Sequence, residues 1–306
     1  MTRPFTDDDL DTAAALLAER HARHRRTEPL LPSDLDFRAE VEGVWRRPQA
    51  SGAVAERGFL IGAPRDNPVW GPNVWVELAG HAVEEPEHAR DLYALAAQRW
   101  VDDGLMRHYV QLPAHDPGLV DAWFRVGFGL QHAAGIREVP ERADWPDGVR
   151  EATEDDLDVL VSFDPVLPDH QALSPVFGPG RGKETEEELR QELLEGLASP
   201  DSVDLLAELD GRVVGAFYVT KVEDSTMHAG LGRPPGAGFL AWAAILPEAR
   251  GRGIGLALTQ ASFAWARAHG YQVMVTDWRV TNLLSSRFWP ARGFRTTFLR
   301  LYRSIP

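Results

Sequence analysis

Phe239-Leu-Ala-Trp-Ala-Ala-Ile-Leu-Pro247-Glu-Ala-Arg250-Gly251-Arg252-Gly253-Ile254-Gly255 decides the architecture. Its eight leading apolar residues predict a strand over 238–246. The glycines at alternate positions predict a turn. A helix follows directly over 254–269, with Ile254, Ala257, Leu258, Ala261, Trp265 and Ala268 as an inward stripe of 3.6-residue period. A strand that passes through a glycine-rich turn into a helix N-terminus makes an anion site. The first-turn N–H groups lack intrahelical partners, the dipole is positive there, and glycine lets the backbone approach the anion. Arg250 and Arg252 add charge that suits a pyrophosphate.

Outward from this stretch the elements alternate. Strands are expected at 203–209, 213–222, 271–278 and near 294–304, and helices at 154–163, 184–197 and 282–291. Asp210-Gly211 between two apolar runs reads as a tight hairpin turn. Three patterns recur in the same order in both halves. Thr6-Asp-Asp-Asp-Leu-Asp11 matches Thr153-Glu-Asp-Asp-Leu-Asp158, and both read as capped helix starts. Gly58-Phe-Leu-Ile-Gly62 matches Gly211-Arg-Val-Val-Gly215, and Trp123-Phe-Arg-Val-Gly127-Phe128 matches Trp289-Pro-Ala-Arg-Gly293-Phe294. The offsets are 147, 153 and 166, so the second copy carries insertions. The expected fold is α/β of the α+β type: two related domains, 1–140 and 147–306, each a mixed, mostly antiparallel sheet covered by helices. Val139-Pro140 to Asp147-Gly148 would link them.

Composition narrows the function. The 306 residues carry 44% hydrophobic side chains and a formal net charge of −14. That balance argues against nucleic acid or an anionic membrane as partner and suits a cationic ligand such as an amine. Without cysteine there are no disulfides, thiolate metal sites or cysteine nucleophiles. The first residues pass straight to Asp7-Asp8-Asp9 without a secretory apolar run, so the cytoplasm is the expected compartment. Two lysines against thirty arginines point to a GC-rich bacterial genome. Gly178-Pro-Gly-Arg-Gly-Lys-Glu-Thr185 only imitates a phosphate-binding P-loop and reads as a flexible loop. His21-x-x-His24, flanked by Arg23, Arg25 and Arg26, reads as a solvated basic helix end, and no metal is expected.

Arg250-x-x-Gly253-x-Gly255 resembles the coenzyme-A pyrophosphate loop, Q/R-x-x-G-x-G/A, of the GNAT N-acetyltransferase superfamily. Asn282-Leu-Leu-Ser-Ser-Arg-Phe288-Trp289-Pro-Ala-Arg-Gly293-Phe294 is similar to that family's N-x-x-A-x-x-x-Y-x-x-x-G-F. The likeness is close over 239–294 and agrees with the layout over 150–304. It implies acetyl-CoA as co-substrate. Ala243, Ala244 and Ile245 would pair with the pantetheine arm. Arg250, Gly251, Arg252, Gly253, Ile254, Gly255 and Leu256 would wrap the pyrophosphate. Asn282 would orient the coenzyme or cap the helix it begins.

The implied reaction is direct acetyl transfer to the amine of a small molecule, by a monomer or homodimer. Two alternatives stand beside it: a non-catalytic acyl-CoA-binding regulatory or interaction protein, and a protein or peptide N-acetyltransferase. Asp277 stands where some members of the family carry a glutamate base, with His228 and Glu208 as weaker candidates. Trp289 replaces the tyrosine that usually protonates the coenzyme thiolate, and indole cannot act as an acid near neutrality. Ser285, Tyr218 and Tyr302 are the candidate substitutes. In the first half Asn73-Val-Trp-Val resembles the coenzyme strand. The turn after it carries Glu84, Glu85 and Glu87 before a helix at 87–103, and carboxylates there would repel a pyrophosphate. The first copy therefore reads as degenerate.

Overall fold

A computed structural model of the protein describes residues 1–65, 70–180 and 185–306. Part of the P-loop-like segment, residues 181–184, lies outside the described residues. The first half runs β1 (Arg3–Pro4), α1 (Leu10–Thr27), α2 (Phe37–Trp45), β2 (Ser51–Ala55), β3 (Gly58–Gly62), β4 (Asn73–Val76), β5 (His81–Val83), α3 (His88–Asp102), β6 (Arg107–Pro113), α4 (Pro117–Phe124) and β7 (Gly129–Glu138). The second half runs β8 (Val149–Glu151), α5 (Leu157–Phe163), α6 (Val166–Ala172), α7 (Glu186–Ala198), β9 (Val203–Leu209), β10 (Arg212–Lys221), β11 (Ala237–Ile245), α8 (Ile254–Ala268), β12 (Val273–Arg279), α9 (Ser285–Ala291) and β13 (Arg295–Ser304). The fold is mixed α/β and mostly antiparallel.

The chain divides into two compact units. The first comprises Met1–Ala134, Ala229–Arg233 and Thr296–Pro306; the second comprises Gly135–His228 and Pro234–Arg295. The chain changes unit within β7 and again at the start of β13, and the 139–148 connection lies inside the second unit.

In the first unit β1, β2, β3 and β5 pair antiparallel, β4 runs parallel to β6, and β13 pairs antiparallel with β6. Its core gathers Leu60, Val74, Leu92, Trp100, Leu112, Trp123 and Leu301, each at most 1% exposed. In the second unit β8, β9, β10 and β11 pair antiparallel in that order, and β12 is parallel to β11. Leu160, Phe163, Leu206, Ala216 and Ala244 form a core on one face of this sheet.

The repeated sequence patterns repeat as local structure. Asp9 accepts from the Thr6 N–H at 2.9 Å and from both guanidinium nitrogens of Arg3; Asp156 accepts from the Thr153 N–H at 2.9 Å and from both guanidinium nitrogens of Arg150. The forked Arg–carboxylate geometry fixes two donors at once. It also holds the Asp156 carboxyl down at about 2. Helices α4 and α9 both end in a left-handed glycine, Gly127 (φ +85°) and Gly293 (φ +83°). The next N–H donates to the tryptophan carbonyl in each copy: Phe128 to Trp123 and Phe294 to Trp289, both at 3.3 Å.

The reading of His21 and His24 as solvated is corrected. Arg20, His21 and His24 are 4%, 2% and 2% exposed. They extend the buried stripe Leu10, Ala13, Leu16, Leu17 at helical spacing, and main-chain carbonyls satisfy the polar ends of Arg20 and His21. Arg20 donates to the carbonyls of Leu78 (2.7 Å) and His81 (2.5 Å), and His21 Nε2 to that of Pro32 (2.8 Å). On α8 the expected stripe holds for Leu258, Ala261 and Trp265 but not for Ala268, which is exposed. Thr259 and Ser262 are buried instead, because their hydroxyls bond the carbonyls of Gly255 (2.7 Å) and Leu258 (2.8 Å) one turn back.

Candidate active site

Strands β11 and β12 stay in register over four pairs, from Ala237↔Val273 to Leu240↔Thr276. On its other side β11 faces β10, where Tyr218 opposes Trp242 and Val219 opposes Leu240, so Ala241 is an extra residue. A bulge of this kind bends and twists a strand. Past it, β11 continues beside β10 as far as Ile245↔Gly215 without register to β12. The edge of Ala243, Ala244 and Ile245 thus offers main-chain groups to an extended ligand.

This edge forms one wall of a cavity of about 460 Å³. The floor is Phe217 of β10. Ala249, Arg250, Gly251 and Gly253 of the loop and Ile254, Gly255 and Leu256 of α8 close one end. Asn282, Leu284, Ser285, Phe288, Trp289 and Arg292 also line it, and Val166, Leu167 and His170 of α6 complete the lining.

The anion end is built from backbone. Gly251 and Gly253 take left-handed φ values of +77° and +84°, and Gly253 is the N-cap of α8. The first intrahelical bond runs from Ala257 N to Gly253 O (3.1 Å), so the N–H groups of Ile254, Gly255 and Leu256 belong to the open first turn. Gly215 lets α8 lie against β10, since a Cβ there would meet Ile254 and Leu258 at 2.9 Å. Gly62, its counterpart in the first repeat, lies as closely under Trp100 of α3. The Arg250 guanidinium donates to the Ile245 carbonyl at 3.4 Å and lines the cavity. Arg252 does not line it; its guanidinium is 4.0 Å from Asp210 in the hairpin turn.

Asn282 is 4% exposed, and its Oδ1 accepts from the N–H groups of Leu284 (3.1 Å) and Ser285 (3.4 Å) at the start of α9. Capping and cavity lining coexist in this one side chain. Trp289 is 5% exposed, with its ring centroid 5.9 Å from Phe217, 4.8 Å from Phe288 and 5.6 Å from Phe294.

The other sequence candidates are placed as follows. Asp277 is half-buried on β12, one residue past the last pair with β11, and is not among the residues lining the cavity. His228 is buried and directs Nε2 at the Thr276 carbonyl (3.2 Å). Glu208 pairs with Arg150 at 2.7 Å, away from the cavity lining. Ser285 lines the cavity with its hydroxyl 3.4 Å from the Asn282 carbonyl. Tyr218 neighbours Phe217 on β10, so the pleat sends it to the opposite face. Tyr302 lies in the first unit, its ring 5.0 Å from that of Tyr109. Sequence reasoning missed His170. Helix α6 has seven residues, none fully buried, with Pro168 in its middle, so no apolar period marks it. Among the described residues no group of three or more side chains could hold a metal ion, and no helix is long and apolar enough to cross a membrane.

The first unit also has a parallel strand pair. β4 and β6 keep parallel register over four pairs, Asn73↔Arg107 to Val76↔Val110, and β5 follows beside β3. Here Arg20 occupies the carbonyls of Leu78 and His81, while His81 Nε2 bonds the Gln111 carbonyl at 2.8 Å. Glu84 pairs with Arg57 at 3.1 Å and Glu87 with Arg125 at 2.8 Å.

Residues 170–294 match the family model described as acetyltransferase (GNAT) family. They hold every lining residue of the cavity except Val166 and Leu167. This stretch carries the match to the GNAT acetyltransferase family, and the protein is an enzyme of the acetyltransferase class. No curated protein sequence matches the chain. Among solved structures, it is similar to a GCN5-related N-acetyltransferase from Sphaerobacter thermophilus, with a TM-score of 0.61 and 16% identity over 99% of this chain and 95% of that one. A tandem GNAT protein from the clavulanic acid biosynthesis pathway gives 0.51 and 13%, covering 99% and 98%. A glucosamine N-acetyltransferase region of a fungal multi-domain β-N-acetylglucosaminidase gives 0.54 and 16%, covering 99% of this chain and 38% of that one. At these identities the likeness is one of fold.

Proposed function

We propose that the protein transfers the acetyl group of acetyl-CoA directly to the amine of a small molecule, binding one coenzyme per chain in the second unit. The observation that carries this reading is the continuity of the open β11 edge with the Gly251–Leu256 anion loop along one cavity. Ala243, Ala244 and Ile245 would pair with pantetheine, Arg250 through Leu256 would hold the pyrophosphate, and Asn282 would support the wall beside the thioester. Asp277, where β12 leaves β11, would take the proton of the attacking amine. The first unit would be a degenerate copy. Arg20 fills its strand edge and ion-paired glutamates stand at its helix start, so it would serve through packing rather than coenzyme binding.

A non-catalytic acyl-CoA-binding role is favoured by one observation, the tryptophan at position 289. The test is release of free coenzyme thiol from acetyl-CoA with and without a panel of amines. Amine-dependent release is expected, together with a calorimetric stoichiometry near one acetyl-CoA per chain. Tight binding without amine-stimulated release would favour the non-catalytic role. Release stimulated by peptides alone would replace the small-molecule acceptor, and a stoichiometry near two would overturn the single-site assignment.

A further inference from the structure

Resting on that reaction, we propose that His170 is its general acid, delivering the proton that the coenzyme sulfur takes up as the C–S bond breaks. The cavity that would hold the thioester is walled almost entirely by groups that cannot exchange protons near neutral pH. Among its described lining residues there is no Asp, Glu, Tyr, Lys or Cys. Arg250 and Arg292 stay charged, the Ser285 hydroxyl is far too weak an acid, and Trp289 has only an indole N–H. His170 is the one side chain there whose ordinary range spans neutrality.

Its placement also fits. Nε2 is 3.4 Å from Asn282 Oδ1, an oxygen that already accepts from two main-chain N–H groups. The proton in that contact therefore sits on Nε2, on a side chain that lines the cavity. Helix α6 is anchored by neighbouring contacts: Arg279 donates to Gln171 Oε1 at 2.9 Å, and the Gly178 N–H to the Gln171 carbonyl at 2.7 Å. His170 thus lines the same cavity as Trp289, where a tyrosine is absent, and is supplied by a different element.

The step balances without a further reactant. The acceptor nitrogen bonds the carbonyl carbon, the C–S bond breaks with its electron pair left on sulfur, and the imidazolium proton of His170 passes to sulfur. The nitrogen proton leaves to Asp277 or water, and imidazole is reprotonated from solvent. An ordinary imidazolium is a stronger acid than an ordinary thiol, so this transfer runs downhill. The charged groups around α6 are few. β11 offers no titratable side chain; α5 carries Asp158, paired with Arg190 at 2.7 Å, and Asp164 follows its end. Asp169 lies next to His170, Asp277 and Arg279 lie on β12, and Arg250 and Arg292 share the cavity.

The test uses full-length protein, acetyl-CoA and hydroxylamine, an acceptor that is neutral near neutral pH and so needs no base. Single-turnover formation of acetohydroxamate is followed from pH 6 to 9, with calorimetry of acetyl-CoA binding alongside. Wild-type rates should fall tenfold per pH unit above the imidazole range. His170→Gln should be slower by about a hundredfold at low pH and flat with pH, with acetyl-CoA affinity within threefold of wild type. Added free imidazole should restore part of the rate to His170→Ala. A His170→Gln profile that keeps the wild-type slope, or an unchanged rate, would overturn the assignment while leaving the acetyltransferase reading intact. Bound acetyl-CoA with no catalysed transfer by wild type would overturn the reaction itself, and this inference with it.

Discussion

Gly253→Val is expected to weaken acetyl-CoA binding by a hundredfold or more while leaving the protein folded. Gly253 has φ +84°, and a Cβ added there would meet nothing within 4 Å. Gly253 lines the cavity in the loop where the diphosphate is expected. A branched side chain has two effects. It strains the left-handed backbone by about 1–2 kcal/mol, pulling the N–H groups of Ile254, Gly255 and Leu256 off their common target. It also takes up volume where the phosphate oxygens would sit. Each tenfold loss of affinity corresponds to about 1.4 kcal/mol, so the two effects together reach a hundredfold. Gly270→Ala supplies the control: Gly270 has φ +80° and equally open surroundings but follows the far end of α8. It should lose a comparable amount of stability and no affinity. Equal affinity losses in both variants would show that strain, not the loop, is being measured.

The second large effect is acid lability of the first unit. Burial pushes the His81 ring down to about 3 and the His24 ring down to about 2, with the neighbouring Arg20 acting in the same direction on both. These folded-state values lie below the unfolded histidine value, so the unfolded chain binds more protons between them. The stabilising contribution is complete above about pH 6.5 and declines as pH falls toward the folded values, by up to about 1.4 kcal/mol per pH unit for each ring. At pH 5 the pair would have lost about 2–4 kcal/mol, a large share of an ordinary domain stability. The Asp156 carboxyl contributes in another window, since its stabilisation is lost only as pH falls from the ordinary carboxylate range toward about 2. Circular dichroism against pH should therefore show unfolding well above the carboxylate range. His24→Phe keeps a ring against His115 (4.4 Å between centroids) and Phe298 (4.8 Å) and removes one titration. It should move the acid midpoint down by about half a pH unit. A wild-type stability that is flat from pH 7 to 4 would contradict the buried-neutral assignment.

Much of this was legible in the sequence because it is local. The 239–255 stretch names its own strand, loop and helix, and the Asp210-Gly211 pair its own hairpin, with φ +54° and +75°. The repeat was legible to the extent that it recurs in short motifs; the Arg3–Asp9 and Arg150–Asp156 forks share the 147-residue offset of the Thr6 and Thr153 motifs. Other features depend on distant partners. His21 and His24, among Arg23, Arg25 and Arg26, look solvated as a string of basic residues, and only the Pro32 carbonyl and the rings of His115 and Phe298 reveal why they can be buried. Ala229–Arg233 joins the first unit, and Thr296–Pro306 joins it by pairing with β6, which no local pattern encodes. His170 lies on a short helix without an apolar stripe, and its significance appears only when the cavity is assembled around it.

A crystal structure of the protein grown with acetyl-CoA tests the central claim most directly. The account predicts one coenzyme per chain. Its pyrophosphate should rest on the N–H groups between Gly251 and Leu256, its pantetheine should pair along Ala243–Ile245, and its sulfur should lie within hydrogen-bonding reach of His170. Coenzyme bound in the first unit against Arg20, or anywhere that leaves the Gly251–Leu256 loop empty, would contradict it.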